Sequence, residues 1–199
     1  MRSEAPPLLP ILRSRHQGEL LAVLLLHPDR EYTLSDLSRR LNVPLSTLQG
    51  EANRLIDAGL VRQRRLGRAR VLRAELANRY SRPLTELVTL AFGPHLVVEE
   101  ELGSVAGLEA ALIYGSWAAR YQGEAGPPPN DLDLLVIGQP DRTQLYEAAD
   151  RAERRLDLPI NPAVRGRRRW DAAADPLVRQ VKSSPVVWVL DRANLQGAA

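Results

Sequence analysis

The sequence contains no cysteine. That excludes a disulfide framework and a thiolate metal site, and it fits a reducing compartment. Aromatic residues make up only 5% of the 199, with a single Phe; Met and Lys also occur once each. The remaining basic residues are all arginine, a bias that a GC-rich genome explains and from which no function is read. Long apolar runs are missing too. The longest, Leu20 to Leu26, is far too short to span a bilayer, so no membrane partner is expected. Met1 to Pro10 lacks the charged and then apolar pattern of a secretory leader, so the expected location is cytoplasmic.

What is present is unevenly charged. The net charge is +3, but residues 1–92 hold 15 Arg against 9 acids, whereas residues 93–199 hold 12 basic and 15 acidic residues. Such asymmetry suggests one half that meets a polyanion and one that does not. The length accommodates two small domains.

The first half carries a helical rhythm. A helix is predicted over His16–His27, with Leu20, Val23 and Leu24 on one face and Pro28 as its stop. Thr33 is a good N-cap, with Asp36 three residues on, for a helix over Leu34–Leu41 that buries Leu34, Leu37 and Leu41. Asn42-Val43-Pro44 reads as a turn. A third helix over Leu45–Ala58 turns Leu48, Ala52, Leu55 and Ile56 inward and ends at Gly59. Two short segments, Leu60–Leu66 and Ala69–Ala74, flank Gly67-Arg68 as a β-hairpin would. That order is the winged helix-turn-helix order. In that motif the second helix of the turn enters the major groove, which here presents Ser46, Thr47, Gln49, Gly50 and Asn53 to base edges. Gln and Asn can bond adenine bidentately. The hairpin supplies Arg62, Arg64, Arg65, Arg68, Arg70 and Arg73 for phosphates or a minor groove. A small helical domain with a solvated basic hairpin, or one that contacts protein, remains an alternative.

The segments TLSDLSRRL, PLSTL and RLIDAGLVRQRRLGRARV resemble winged-helix regulators of the ArsR and MarR type, over roughly residues 16–77. The resemblance implies binding to double-stranded DNA as a homodimer. The metal-sensing cysteines of some ArsR relatives are absent, so metal sensing is not expected in this domain.

Residues 78–106 read as connecting helices. Leu84, Leu87, Val88 and Ala91 share a face, Gly93-Pro94 makes a break, and Glu99, Glu100 and Glu101 are expected to be exposed. Residues 107–199 alternate strand and helix. Strands are predicted at Leu108–Tyr114, Asp131–Ile137, Pro159–Val164 (interrupted by Pro162) and Val186–Leu190. Helices are predicted at Trp117–Tyr121, Arg142–Leu156 and Asp171–Val181, the last with Pro176 early in it or dividing it. The expected fold class is therefore α+β in two domains: a winged helix in 1–77, a connector in 78–106, and an α/β domain with a small mixed sheet in 107–199.

The chemistry of the second half centres on Gly115-Ser116, followed by Asp131-Leu132-Asp133 fifteen residues after the serine. Strand alternation places Asp131 and Asp133 on one side. Two carboxylates so spaced can hold Mg²⁺, a hard cation commonly shared with phosphates. Gly115 permits close backbone approach, and Ser116 opens a helix whose free N–H groups favour phosphate. The segments YGSWAARY and DLDLLVIG resemble the minimal nucleotidyltransferase domain of the DNA polymerase β superfamily, over about residues 107–192. The resemblance implies that Gly115 and Ser116 hold a nucleoside triphosphate, with Arg120 assisting. It makes Asp131 and Asp133 the catalytic metal ligands. The family's third carboxylate corresponds to Asn161, a weak metal ligand that cannot act as a base. Nucleotide binding without transfer, active transfer to a protein, small molecule or nucleic acid, and an antitoxin role with a protein partner all stay open. Arg165, Arg167, Arg168 and Arg169 form a basic cluster that would suit phosphate, nucleic acid, an acidic partner or simply solvent.

Overall fold

The computed structural model describes residues 14–173 and 175–196; Met1 to Pro10, considered above for a leader, lie outside them. The chain divides into two compact units, Met1–Gly93 and Pro94–Ala199. The segment 78–106 is therefore shared between the two.

In the first unit, α1 (Arg15–Leu26) starts at Ser14, whose hydroxyl accepts from the Gln17 N–H. β1 (Tyr32–Thr33) leads into α2 (Leu34–Leu41), and the Thr33 hydroxyl accepts from the Asp36 N–H as a cap. Asn42 takes the left-handed conformation that turns the chain into α3 (Leu45–Asp57). β2 (Val61–Leu66) and β3 (Ala69–Ala74) form the hairpin, and α4 (Ser81–Phe92) packs on α1. Leu20, Leu24, Leu37, Leu48 and Leu72 are fully buried at its centre. Leu34, Leu41 and Ile56, expected inward, sit half-buried at the rim. β1 was not anticipated, because two residues are too few to show a period. It pairs antiparallel with β3, giving the order β1-β3-β2.

The second unit contains α5 (Pro94–Leu102), β4 (Leu108–Tyr114), α6 (Gly115–Tyr121), β5 (Leu132–Gly138) and α7 (Arg142–Leu156). It continues with β6 (Ile160–Arg165), α8 (Arg167–Ala172), α9 (Pro176–Lys182) and β7 (Val187–Asp191). The sheet order is β6-β5-β4-β7, with β5 and β6 parallel and the other pairs antiparallel. Alternate residues serve two cores. Ala111, Ile113, Leu134 and Val136 pack with Val98, Leu102, Leu145 and Ala148. Ala110, Leu112, Leu135 and Ile137 pack with Trp170, Val178 and Val181. Burial on both faces is why β5 reads as a nearly continuous apolar run.

Three expectations are corrected. β6 runs straight through Pro162, because it is an edge strand where a missing N–H costs no ladder bond. The helical segment expected over Asp171–Val181 is divided at Pro176, one of the two arrangements expected, but its first piece, α8, already begins at Arg167; Asp175 caps the second, with Pro176 in its first turn. Glu101 is not exposed like Glu99 and Glu100. It lies half-buried and accepts from Arg151 (2.7 Å) and Arg155 (2.6 Å) of α7. No helix among the described residues is long and apolar enough to cross a membrane.

Burial alone would raise the pKa of Glu101, but the two guanidiniums outweigh it and hold the carboxyl below the usual glutamate range. The unfolded chain then takes up the proton first as pH falls, so the stabilisation is complete at neutral pH and is lost on acidification through the folded pKa. Glu101→Gln should therefore destabilise the protein at pH 7 by about 1 kcal/mol, partial solvent screening limiting the effect. Denaturant melts should show that difference shrinking as the pH is lowered. An equal difference at pH 7 and pH 3 would contradict this account.

Candidate functional site

The hairpin distributes its arginines by register. Val61 opposes Ala74, Gln63 opposes Leu72 and Arg65 opposes Arg70. Opposed residues share a face, and Val61, Leu72 and Ala74 are buried in the helical core. Arg65 and Arg70 therefore project on the core side, where α3 lies. Arg62, Arg64 and Arg73 project on the other side, and there each meets an acid: Glu75, Glu31 and Asp29 respectively. Arg64 holds the Glu31 carboxyl below its ordinary pKa. Arg73 also donates to the Pro28 carbonyl (3.0 Å). Arg65 and Arg68 are exposed and have no ion-pair partner among the described residues. The six arginines are thus not equivalent, a distinction set by strand register and by acids distant in sequence.

On α3, Ser46, Thr47, Gln49 and Asn53 are exposed while Leu48, Ala52 and Leu55 are buried. Ser46, Gln49, Gly50 and Asn53 follow the three-to-four spacing of one helical face. Arg70 donates to Asn53 Oδ1 at 2.6 Å, joining hairpin and helix. Gly50 sits mid-helix with ordinary helical dihedrals, and a Cβ built on it would meet nothing within 4 Å. Nothing in the chain requires glycine there, although glycine costs a helix about 1 kcal/mol relative to alanine.

In the second unit, Tyr114 opposes Asp133 and Asp133 opposes Asn161, so the three form a row across β4, β5 and β6. Asp131 lies just before β5, and its Oδ2 accepts from Asn161 Nδ2 at 2.9 Å. Burial raises the Asp133 pKa, the Asp131 charge raises it further, and the Asn161 amide opposes both. Gly115 has φ 73°, and a Cβ there would lie 2.6 Å from Asp133 Oδ2. Only glycine lets the backbone turn so close to that carboxylate. α6 beneath it is anchored by Trp117, whose ring packs against Tyr121 and His95. Ser116 is exposed near the start of this seven-residue helix.

Gly115, Asp131, Asp133 and Asn161 are brought together. Arg120 is turned elsewhere: it donates to the carbonyls of Glu124 (2.6 Å) and Pro127 (3.4 Å), fastening the loop at 122–130. Half of the basic cluster is neutralised. Arg165 pairs with Asp175 at 2.6 Å, and Arg167 with Asp171 at 3.0 Å and Glu109 at 3.5 Å, leaving Arg168 and Arg169 exposed. Tyr114 was missed because a tyrosine inside an apolar strand reads as core. Its place immediately before Gly115 was the available signal. Burial raises its pKa, as does Asp133, so it remains a protonated donor at neutral pH.

Among the described residues no three His, Cys, Asp or Glu side chains converge on a metal-sized point. Two carboxylates and an amide fit a Mg²⁺ ion that completes its shell with water and phosphate, and do not fit an all-protein cage.

No protein-family model matches the chain, and no curated protein does. Among solved structures the chain is similar to the transcriptional regulator BldR from Sulfolobus solfataricus, at 19% identity and a TM-score of 0.34. That match covers 47% of this chain and 63% of the BldR chain, so it spans less than two thirds of the regulator's length.

Replacing Asp131 by Asn removes the charge that opposes ionisation of Asp133. In a carboxyl-carbon NMR titration the Asp133 pKa should move down toward the ordinary aspartate range. An unchanged midpoint would show that the two carboxylates do not share a site.

Proposed function

We propose that the first unit is a winged helix-turn-helix domain that binds double-stranded DNA, and that the protein is a transcriptional regulator acting as a homodimer. The observation that carries this is the exposed polar face of α3 lying beside a hairpin whose unpaired arginines, Arg65 and Arg68, are free for phosphate. Ser46, Thr47, Gln49 and Asn53 would meet base edges; the arginines would supply affinity without sequence choice. Arg62 and Arg64, already paired with acids on the opposite face, would contribute little. Exposed Tyr80, at the N-cap of α4, and Leu87 and Leu90 along it provide apolar surface suited to a second copy.

Fluorescence polarisation with genomic duplexes tests the division of labour. The double variant Arg65→Ala/Arg68→Ala should bind roughly tenfold more weakly at every sequence, while Arg62→Ala/Arg64→Ala should bind within about twofold of wild type, as acid-paired surface arginines would. The reverse ranking would remove the assignment. Gly50→Ala gives an independent check, because it should raise the melting temperature and yet weaken DNA binding. Tighter binding, or binding equal to wild type, would show that the bare face of α3 is not the face that approaches DNA.

The convergence of Asp131, Asp133 and Gly115 supports a second function, nucleotide and Mg²⁺ binding by a nucleotidyltransferase-like domain. Asp131 and Asp133 would hold the ion, Gly115 and Ser116 would face the triphosphate, and the ion would neutralise phosphate charge. Asn161 would orient the Asp131 carboxylate by its hydrogen bond, and it supplies no base for an attacking hydroxyl. Slow or absent transfer follows from that substitution. An active nucleotidyltransferase, or an antitoxin paired with a protein toxin, is the alternative for the same site. Titration calorimetry with Mg²⁺ and a non-hydrolysable ATP analogue distinguishes these outcomes from a purely structural cluster. Asn161→Asp should bind Mg²⁺ more tightly, and Asp131→Ala should abolish metal-dependent nucleotide binding. Nucleotide binding that is absent, or indifferent to Asp131, would leave the carboxylates without this role.

A further inference from the structure

Arg70 differs from the other arginines of the hairpin tip. It is half-buried, whereas Arg65 and Arg68 are exposed, and its Nε is sequestered from solvent without a hydrogen-bond partner. Its register places it on the α3 side, and its Nη2 donates to Asn53 Oδ1 at 2.6 Å. A guanidinium can only donate, so chemistry alone fixes which end of the Asn53 amide faces it. The amide oxygen is turned toward Arg70, and the Nδ2 hydrogens are left for a partner outside the chain.

This orientation changes what Asn53 can read. Bidentate recognition of adenine needs the amide oxygen to accept from the N6 amino group while Nδ2 donates to N7. With one lone pair of Oδ1 taken by Arg70, an approaching adenine amino group must use the remaining one beside a guanidinium whose positive charge repels a donor. Guanine presents two acceptors in the major groove, O6 and N7, and no donor there. We infer that Arg70 and Asn53 form one positively charged reading unit, richer in donors than acceptors, that favours guanine over adenine, so that Arg70 sets the base preference of Asn53 instead of acting as a mobile phosphate contact. The inference rests on the proposed DNA-binding role of the first unit and adds the identity of a base and of the residue that determines it.

The test is selection of bound sites from a random duplex library by the full-length protein and its variants, with thermal melts confirming that each is folded. Asn53→Ala, at an exposed helix position, identifies the base position concerned as the one whose preference it relaxes. At that position wild type should favour guanine over adenine by on the order of tenfold. Arg70→Ala should release the amide oxygen and move the preference at the same position toward adenine. Asn53→Asp, whose carboxylate remains paired with Arg70, should keep the fold and lose the preference for guanine. A wild-type preference for adenine at the Asn53 position overturns the inference. So does an Arg70→Ala protein that weakens all sequences equally while still selecting guanine, since that is the behaviour of a phosphate contact. If Arg70→Ala does not fold, the wild-type base and the Asn53→Asp result still decide the matter. A wild-type protein that enriches no duplex overturns the DNA-binding proposal itself, an outcome distinct from enrichment with the wrong base.

Discussion

In an antiparallel hairpin, opposed residues share a face, and in any strand neighbours alternate faces. Once Leu72 and Ala74 are committed to the helical core, the orientation of every arginine on the hairpin follows. Arg65 and Arg70 must project with the core residues toward α3, and Arg62, Arg64 and Arg73 must project away, where Glu75, Glu31 and Asp29 stand. Slipping the register by one residue would exchange the two sets and bury charge. The same pleat orders the second unit. Leu134 and Val136 belong to one core and Leu135 and Ile137 to the other, so Asp133 must share the face of Leu135 and Ile137, in line with Tyr114 and Asn161. Hydrophobic burial thus sets the positions of the polar groups in both units.

A consequence is that net charge is a poor guide to where a polyanion would bind. The first half carries the larger excess of arginine, yet three hairpin arginines are partnered by acids distant in sequence. Likewise two of the four arginines in the run Arg165 to Arg169 are paired, Arg165 with Asp175 and Arg167 with Asp171 and Glu109. Among the described residues, what these two stretches leave without an ion-pair or side-chain hydrogen-bond partner is narrower and more directional: Arg65 and Arg68 at the hairpin tip, and Arg168 and Arg169 in α8. Exposed pairs contribute little stability, so their main effect is to remove particular arginines from competition for phosphate.

Most element positions were legible in the sequence because they rest on local rules. Thr33 and Asp36 announce the start of α2, Gly67-Arg68 announces the hairpin turn, and the apolar runs of β4 and β5 announce buried strands. β1 was not legible, since its two residues form a strand only through pairing with β3. The division of the helical segment at Pro176 was legible as one of two arrangements, whereas the start of α8 at Arg167 was not, because Gly166 supplies no side-chain cap to announce it. The candidate carboxylates were legible from their spacing, whereas Asn161 was singled out only through the family resemblance and its opposition to Asp133 is set by the pairing of β5 with β6. Long-range pairing was not: Glu31 is 33 residues from Arg64, and no local pattern joins them. Neither was the turning of Arg120 toward the carbonyls of its own loop.

The central claim is that the first unit binds duplex DNA through a small set of unpaired arginines. The salt dependence of its affinity for a random-sequence duplex tests that most directly, because counterion release makes log K fall linearly with log salt concentration, by about 0.9 for each phosphate neutralised. With Arg65 and Arg68 as the phosphate contacts, the account predicts measurable binding at low salt and a slope of roughly −2 per chain. No binding at low salt, or affinity that does not change with salt, would contradict it.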